Sequence, residues 1–171
     1  MFLDIGFGIL WAIFVSSSFG VELTWLVVLI GIISALAPDI DMLTYALPKN
    51  SRVYAFLRGH RGLIHRPIIW VIPASLALLF FGWFWAVIFM GGVLFHFIHD
   101  TIGLGWGIKW FWPLSSRSFR FFPDKDGKLS STFFLSFTDD EKVELRKQYH
   151  NPNWVRDFYF TINRVSLVEY G

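Results

Sequence analysis

A run of 31 residues, 68–98, contains no Asp, Glu, Lys or Arg, and few folds can accommodate such a run. As one straight helix it would be about 46 Å long, whereas the hydrocarbon core of a bilayer is about 30 Å thick. We therefore divide the run at Phe81-Gly82-Trp83. The division predicts a hairpin of two short helices, each near the lower length limit for crossing a membrane.

Two further apolar segments, residues 5–19 and 23–37, precede this run. Serines and a glycine between them predict a turn, and Pro38 disfavours helical geometry at the residue before it. The first Lys or Arg is Lys49, so no basic region precedes the first segment. A cleaved signal peptide normally has one, and we expect a retained membrane helix instead.

The composition also favours a bilayer. The chain is 54% hydrophobic and only 16% charged, whereas soluble domains are about a quarter charged. A chain of 171 residues has too high a surface-to-volume ratio to bury that much apolar surface. The predicted fold class is an all-α membrane protein with four short transmembrane helices in two hairpins.

The distribution of charge predicts the orientation. With four crossings, all 15 Lys and Arg residues fall on one side of the membrane, as expected for the cytoplasmic side. We therefore expect an integral cytoplasmic (inner) membrane protein with both termini in the cytoplasm. Orientation explains the net charge of +2 and the pI near 9.0 better than nucleic-acid binding does, and no nucleic-acid partner is predicted.

The predicted domains are a transmembrane domain, 1–115, and a tail at the cytoplasmic membrane surface, 116–171. Residues 118–122 and 131–137 resemble strands flanking Asp126-Gly127, a good hairpin turn signal. Thr138 with Glu141 forms a capping-box pattern that opens a polar helix to about Tyr149. Asn151-Pro152 predicts one more helix start.

Three clusters of polar residues lie at the ends of the predicted helices, and four crossings would bring them to one membrane face. Carboxylate and imidazole presented together suit a divalent transition metal, and the chain has no cysteine to supply a thiolate. The predicted ion is zinc or manganese, and the number of ions stays open. The six candidate ligands are Asp39, Asp41, His60, His65, His96 and Asp100.

Simpler interpretations exist for each cluster. Asp39 and Asp41 would also suit a solvated turn after a helix. His60 and His65, with nearby arginines, would also suit a loop that binds anionic lipid headgroups. The cluster around His96 is the sharpest, because a helix end in lipid does not need three ionisable groups.

Three short motifs and a later Trp112-Pro113 pair occur in order along the chain. The motifs are Pro38-Asp39-Ile40-Asp41, His60-Arg61-Gly62-Leu63-Ile64-His65, and His96 followed by Asp100. Through them the chain resembles the membrane-bound metal-dependent hydrolase family of the YdjM type over about residues 1–115. The Thr-His-Ser run that this family often has reads Ile64-His65-Arg66 here. The resemblance implies a membrane-embedded metal-dependent hydrolase.

The leading hypothesis is therefore a metal-dependent hydrolase at the inner membrane face, acting on a lipid-associated or anionic ester or phosphoester. Arg61 would hold an anionic group of the substrate, and His99 would relay a proton. The expected partners are the bilayer and an anionic lipid or lipid-linked substrate. The main alternative is a non-catalytic scaffold that binds metal or lipid. Transport ranks lowest, because the middles of the predicted helices carry few polar groups.

Overall fold

The computed structural model describes residues 2–40, 63–102, 107–121, 124–125, 128–129, 134–141 and 143. Within them the chain is mostly helical: α1 is Phe2–Phe19, α2 is Trp25–Leu36, α3 is Val71–Phe81 and α4 is Trp83–Thr101. A short 3-10 helix, Pro67–Trp70, leads into α3. Two compact units are distinguished, Asp4–Ile98 and a second made of Met1–Leu3 with His99–Gly171.

The predicted break in the charge-free run is confirmed at Gly82. This residue ends α3 with φ 86° and ψ 179°, a backbone conformation that is essentially restricted to glycine. The rings of Trp70 and Phe89 lie on either side of the break with centroids 5.9 Å apart. In one continuous helix these residues would be separated by about 28 Å. The chain therefore turns back on itself at Gly82.

The predicted end of the second segment near Pro38 is confirmed in position, since α2 ends at Leu36. The expected cause is wrong, because Ala37 keeps helical dihedral angles, φ −57° and ψ −38°, and residues 37–40 continue as a 3-10 turn. Thr24 caps the start of α2 by accepting a hydrogen bond from the backbone N–H of Val27. The α-helix is thus slightly shorter than the predicted segment, 23–37. The difference arises because the threonine cap places the first helical residue at Trp25.

Helices α1, α2 and α4 pack closely through small residues. A Cβ at Gly8 would lie 2.7 Å from the carbonyl oxygen of Gly31, so the backbones of α1 and α2 touch there. A Cβ at Gly92 would lie 2.9 Å from Ser34 Cβ, so α4 approaches α2 equally closely. Close approach through glycine, alanine and serine is how helices commonly associate in lipid, where apolar side chains gain little by clustering.

Aromatic rings and one hydrogen bond join α1 to α4. The indole N–H of Trp11 donates to the carbonyl oxygen of Val87 at 3.1 Å, and the rings of Phe7 and Phe95 stack with centroids 3.6 Å apart. Early residues of α1 thus meet late residues of α4, and the two helices run antiparallel. The buried core between the helices contains Ala12, Val15, Val27 and Ile88.

Two of the described helices, α1 and α4, are long and apolar enough to cross a membrane. Only 28% and 39% of the residues in these spans are buried, and a soluble core helix would bury most of its length. The other two apolar helical segments, Trp25–Ile40 and Pro67–Phe81, are shorter. The two longer spans are therefore established as candidates, and four complete crossings stay a prediction.

The described part of the second unit contains two small antiparallel sheets of two strands each. Strand β1, Ser118–Phe121, pairs with β4, Phe134–Phe137, and β2, Asp124–Lys125, pairs with β3, Lys128–Leu129. The strands predicted on either side of Asp126-Gly127 are thus confirmed.

The capping box after β4 is confirmed as well. The Thr138 backbone N–H donates to the Glu141 carboxylate at 2.7 Å, and the Glu141 N–H donates to the Thr138 hydroxyl at 3.3 Å. Helical residues begin at 139. The predicted end of this helix near Tyr149 and the helix after Asn151 lie outside the described residues, and the domain boundary at 115 stays a prediction.

Candidate metal centre

His96 lies on α4, five residues before the helix ends at Thr101, and its imidazole is only 2% exposed. The residues on either side of His96 are packed in place. Phe95 stacks on Phe7 of α1, and Phe97 is fully buried. An imidazole at this depth in an apolar helix is costly unless its two nitrogens meet polar groups.

Asp39 follows α2 within the 3-10 turn of residues 37–40. Pro38 is fully buried and orders the backbone just before the carboxylate, because its ring restricts φ. The Asp39 side chain is 21% exposed. The carbonyl end of α2 adds partial negative charge to this position, which favours a cation.

His65 belongs to the segment before α3, and a tryptophan orders the backbone beside it. The indole N–H of Trp70 donates to the Ile64 carbonyl oxygen at 2.6 Å, a short and well-formed bond. The His65 side chain is only 1% exposed, and its ring meets the His96 ring edge to face with centroids 5.8 Å apart. A local hydrogen bond thus fixes the peptide that carries the second buried imidazole.

The three side chains converge on one point. Asp39 Oδ1 lies 3.6 Å from His65 Nε2 and 3.5 Å from His96 Nε2, and one ligand atom from each residue falls within 4.8 Å of the others. These separations exceed the range of 2.7–3.2 Å that is usual for N–H···O hydrogen bonds. Two ligands at about 2.0–2.2 Å from a tetrahedral zinc ion would lie about 3.3–3.6 Å apart. The two distances from Asp39 therefore fit a metal ion held by this carboxylate and an imidazole, and the ligand atoms of the two imidazoles lie within 4.8 Å of each other.

A fourth ionisable group, Asp4, lies at the same end of the helices. It sits in the first turn of α1, is 1% exposed, and places Oδ1 3.5 Å from His96 Nδ1. Asp4 was not among the predicted ligands. A signal was present, because an acidic residue inside a long apolar segment is costly in lipid and is a functional candidate on that ground alone.

The predicted site residues, which are the six candidate ligands with Arg61 and His99, divide into three groups. Asp39, His65 and His96, one from each predicted polar cluster, are brought together. Three of the predicted site residues lie outside the described residues. They are the candidate ligands Asp41 and His60 and the predicted substrate-binding residue Arg61. His99 and Asp100 lie in the last turn of α4 and are both partly buried; their roles stay predictions.

The comparisons with known proteins agree with a membrane setting. The family model described as YdjM inner membrane protein matches residues 3–166, which is nearly the whole chain and includes the three converging side chains. The match extends well beyond the region that carried the resemblance in the sequence. No curated protein and no solved structure gave a significant match.

Proposed function

The chain belongs to the YdjM inner membrane protein family, and from this premise we propose that it is a metal-dependent hydrolase of the inner membrane. The observation that carries the proposal is the convergence of the Asp39 carboxylate with the imidazoles of His65 and His96, whose ligand atoms lie within 4.8 Å of one another. One oxygen and two nitrogen ligands are a common catalytic zinc set, with room for a further ligand from water or substrate.

Each side chain has a separate role in the proposed hydrolysis. The three side chains hold the ion, and an ion in such a site lowers the pKa of its water to about 7 and polarises a substrate oxygen. Asp39 is the most exposed of the three and therefore marks the side from which substrate would enter. We propose that Arg61 holds an anionic group of the substrate through its fork of N–H donors, and that His99 relays the proton.

The proposed substrate is an anionic ester or phosphoester that reaches the site from the lipid phase. Its support is location: the helices that carry His96 and Asp4 expose mainly apolar side chains, such as Leu10, Phe14 and Trp83. Such surfaces are stable against acyl chains.

We further propose that the two shorter apolar segments also cross the membrane, which places the metal site and both termini on the cytoplasmic side. The natural chain has no cysteine, so single-cysteine labelling has no background. Ser51→Cys, in the basic region, should react with an impermeant maleimide only from the cytoplasmic side. Ser18→Cys, in the exposed last turn of α1, should react only from the opposite side. Labelling of both variants from one side would contradict this topology.

Metal content tests the site. Detergent-purified wild-type protein should contain a stoichiometric divalent metal by elemental analysis, and His96→Gln should lose most of it. His150→Gln is the matched control, because no candidate cluster contains His150. Retention of full metal by His96→Gln would remove this histidine from the ligand set, and metal-free wild-type protein that also fails to take up zinc or manganese would contradict the proposal.

A non-catalytic metal scaffold is the second candidate, and one observation favours it. The imidazoles of His65 and His96 are both almost fully buried, and structural metal sites are usually closed to solvent. Turnover decides between the two functions. Metal-dependent hydrolysis within a panel of lipid-linked esters and phosphoesters, lost in His96→Gln, supports the enzyme. Stoichiometric metal without turnover supports the scaffold.

A further inference from the structure

The buried carboxylate of Asp4 lies beside one ring nitrogen of His96, and the Asp39 carboxylate lies beside the other. His96 Nδ1 lies 3.5 Å from Asp4 Oδ1, and His96 Nε2 lies 3.5 Å from Asp39 Oδ1. The Asp4 contact, like the Asp39 contact, is longer than a usual hydrogen bond, and we propose that Asp4 positions His96 for metal binding by attracting its Nδ1–H electrostatically, so that the first helix of the chain is part of the metal centre. The inference rests on the proposed metal site, and it adds a residue and a role to that site.

The chemistry of a neutral imidazole explains the assignment. One ring nitrogen carries hydrogen and the other has a free electron pair, so a metal bound at Nε2 requires the hydrogen on Nδ1. Nδ1 faces Asp4, and a carboxylate is the strongest acceptor that a side chain can offer there. Carboxylates often hold metal-binding histidines in this way, fixing both the tautomer and the ring orientation.

The burial of Asp4 indicates that this residue does more than stabilise the start of α1. An acidic residue in the first turn of a helix interacts favourably with the helix dipole, but a surface position would serve that purpose. Asp4 is 1% exposed, and burying a carboxylate is costly unless a polar partner compensates. One such partner that the structure places beside it is His96.

The surrounding packing keeps Asp4 at a fixed distance from His96. Phe7, one turn after Asp4, stacks on Phe95, the residue before His96, with centroids 3.6 Å apart. Gly8 lies against the backbone of α2 at Gly31. These contacts hold the start of α1 against both helices that lead to the metal ligands, so the carboxylate is presented by rigid elements rather than by a loop.

The test uses the full-length protein in detergent and measures its affinity for Co²⁺ and Zn²⁺ by competition with a chelator. Asp4→Asn keeps the size of the side chain and an acceptor oxygen but removes the charge, and Asp4→Ala removes the acceptor. Affinity should fall about 10-fold in Asp4→Asn and about 100-fold in Asp4→Ala, the range observed when such histidine partners are removed.

Ser16→Ala is the matched control. Ser16 is a buried polar residue of the same helix, about 18 Å further along its axis, and its loss should leave metal affinity unchanged. A spectroscopic measurement separates positioning from folding. In ¹⁵N-histidine spectra, Asp4→Ala should lower the fraction of His96 in the Nδ1–H tautomer, whereas Ser16→Ala should not.

The outcomes are distinguishable from failure of the proposed function. If wild-type protein binds Co²⁺ or Zn²⁺ and both Asp4 variants bind equally tightly, the role of Asp4 is overturned and the metal site stands. If the wild-type protein binds neither ion, the metal site itself is refuted. A 10-fold or larger loss confined to the Asp4 variants, with the tautomer shift, supports the inference.

Discussion

Replacing Gly8 with alanine should force α1 away from α2 and weaken the metal centre. The new Cβ would lie 2.7 Å from the Gly31 carbonyl oxygen and 2.8 Å from Ile32 Cα. Both are backbone atoms that cannot rotate away, so the nearest contact must lengthen from 2.7 to at least 3.4 Å to become ordinary. Overpacking of this kind costs about 1–3 kcal/mol.

Gly6→Ala is the matched control for this prediction. Gly6 lies on the same helix, and a Cβ there meets nothing within 4 Å. Both substitutions gain the same helix propensity, about 1 kcal/mol, so the difference between them isolates the packing cost. The free energy of unfolding of Gly8→Ala should therefore be about 1–3 kcal/mol lower than that of Gly6→Ala. SDS-induced unfolding in mixed micelles measures this difference.

Metal affinity provides a second measurement on the same pair of variants. Gly8 lies one helical turn after Asp4, so a displaced α1 moves that carboxylate relative to His96. Competition with a chelator should show weaker Zn²⁺ binding in Gly8→Ala than in Gly6→Ala. Equal unfolding midpoints for the two variants would refute the close approach of α1 and α2 on which this reasoning depends.

Three further substitutions or titrations test individual contacts. Trp70→Phe removes the N–H that donates to the Ile64 carbonyl at 2.6 Å, and unfolding in mixed micelles should show a loss of about 1 kcal/mol together with weaker Zn²⁺ binding. Gly82→Ala should cost about 1–3 kcal/mol in the same assay, because φ 86° with ψ 179° is strained for alanine. The backbone N–H of Thr138 lowers the pKa of Glu141, so the capping contact stabilises the helix start above the usual carboxyl pKa and is lost as the pH falls through the lowered value. The Thr138 amide resonance should follow this titration.

Each of these expectations has a control. Trp70→Phe keeps an aromatic ring against Phe89. If its unfolding free energy and Zn²⁺ affinity equal those of the wild type, the indole N–H of Trp70 contributes to neither. Gly20→Ala, at φ 63°, should cost less than Gly82→Ala, because the left-handed helical region is accessible to alanine at about 1–2 kcal/mol. In Glu141→Gln the Thr138 amide should no longer titrate in this range, and persistence of the titration would exclude Glu141 as its cause.

Local sequence patterns were sufficient to predict where several helices begin or end. The charge-free run was too long for one crossing, so a break was required, and the glycine of Phe81-Gly82-Trp83 indicated where the backbone could turn. Helix α2 ends two residues before Pro38 and the chain continues as a 3-10 turn, and the Thr138–Glu141 box forms within four residues of chain. In each case the interacting groups are neighbours in sequence, so no knowledge of the remaining fold was needed.

The metal centre was only partly predictable. His65 and Asp39 were selected because polar residues at helix ends in lipid need a reason to be there, and the antiparallel order of apolar segments brings such ends together. Asp4 carried the same signal more weakly, since a single acidic residue near a helix start also suits the helix dipole. Nothing in its local sequence indicates a histidine 92 positions away.

The amino-acid sequence by itself determined the membrane class, the breaks between helices and the residue types available to bind a cation, because these depend on hydropathy, charge and short-range sterics. Only the tertiary structure decided which ionisable side chains meet. That outcome depends on how far each helix is rotated about its axis, and the rotation is set by contacts such as those of Gly8 with Gly31 and of Phe7 with Phe95. A different rotation of α1 would turn Asp4 away from His96 with no change in any local sequence pattern.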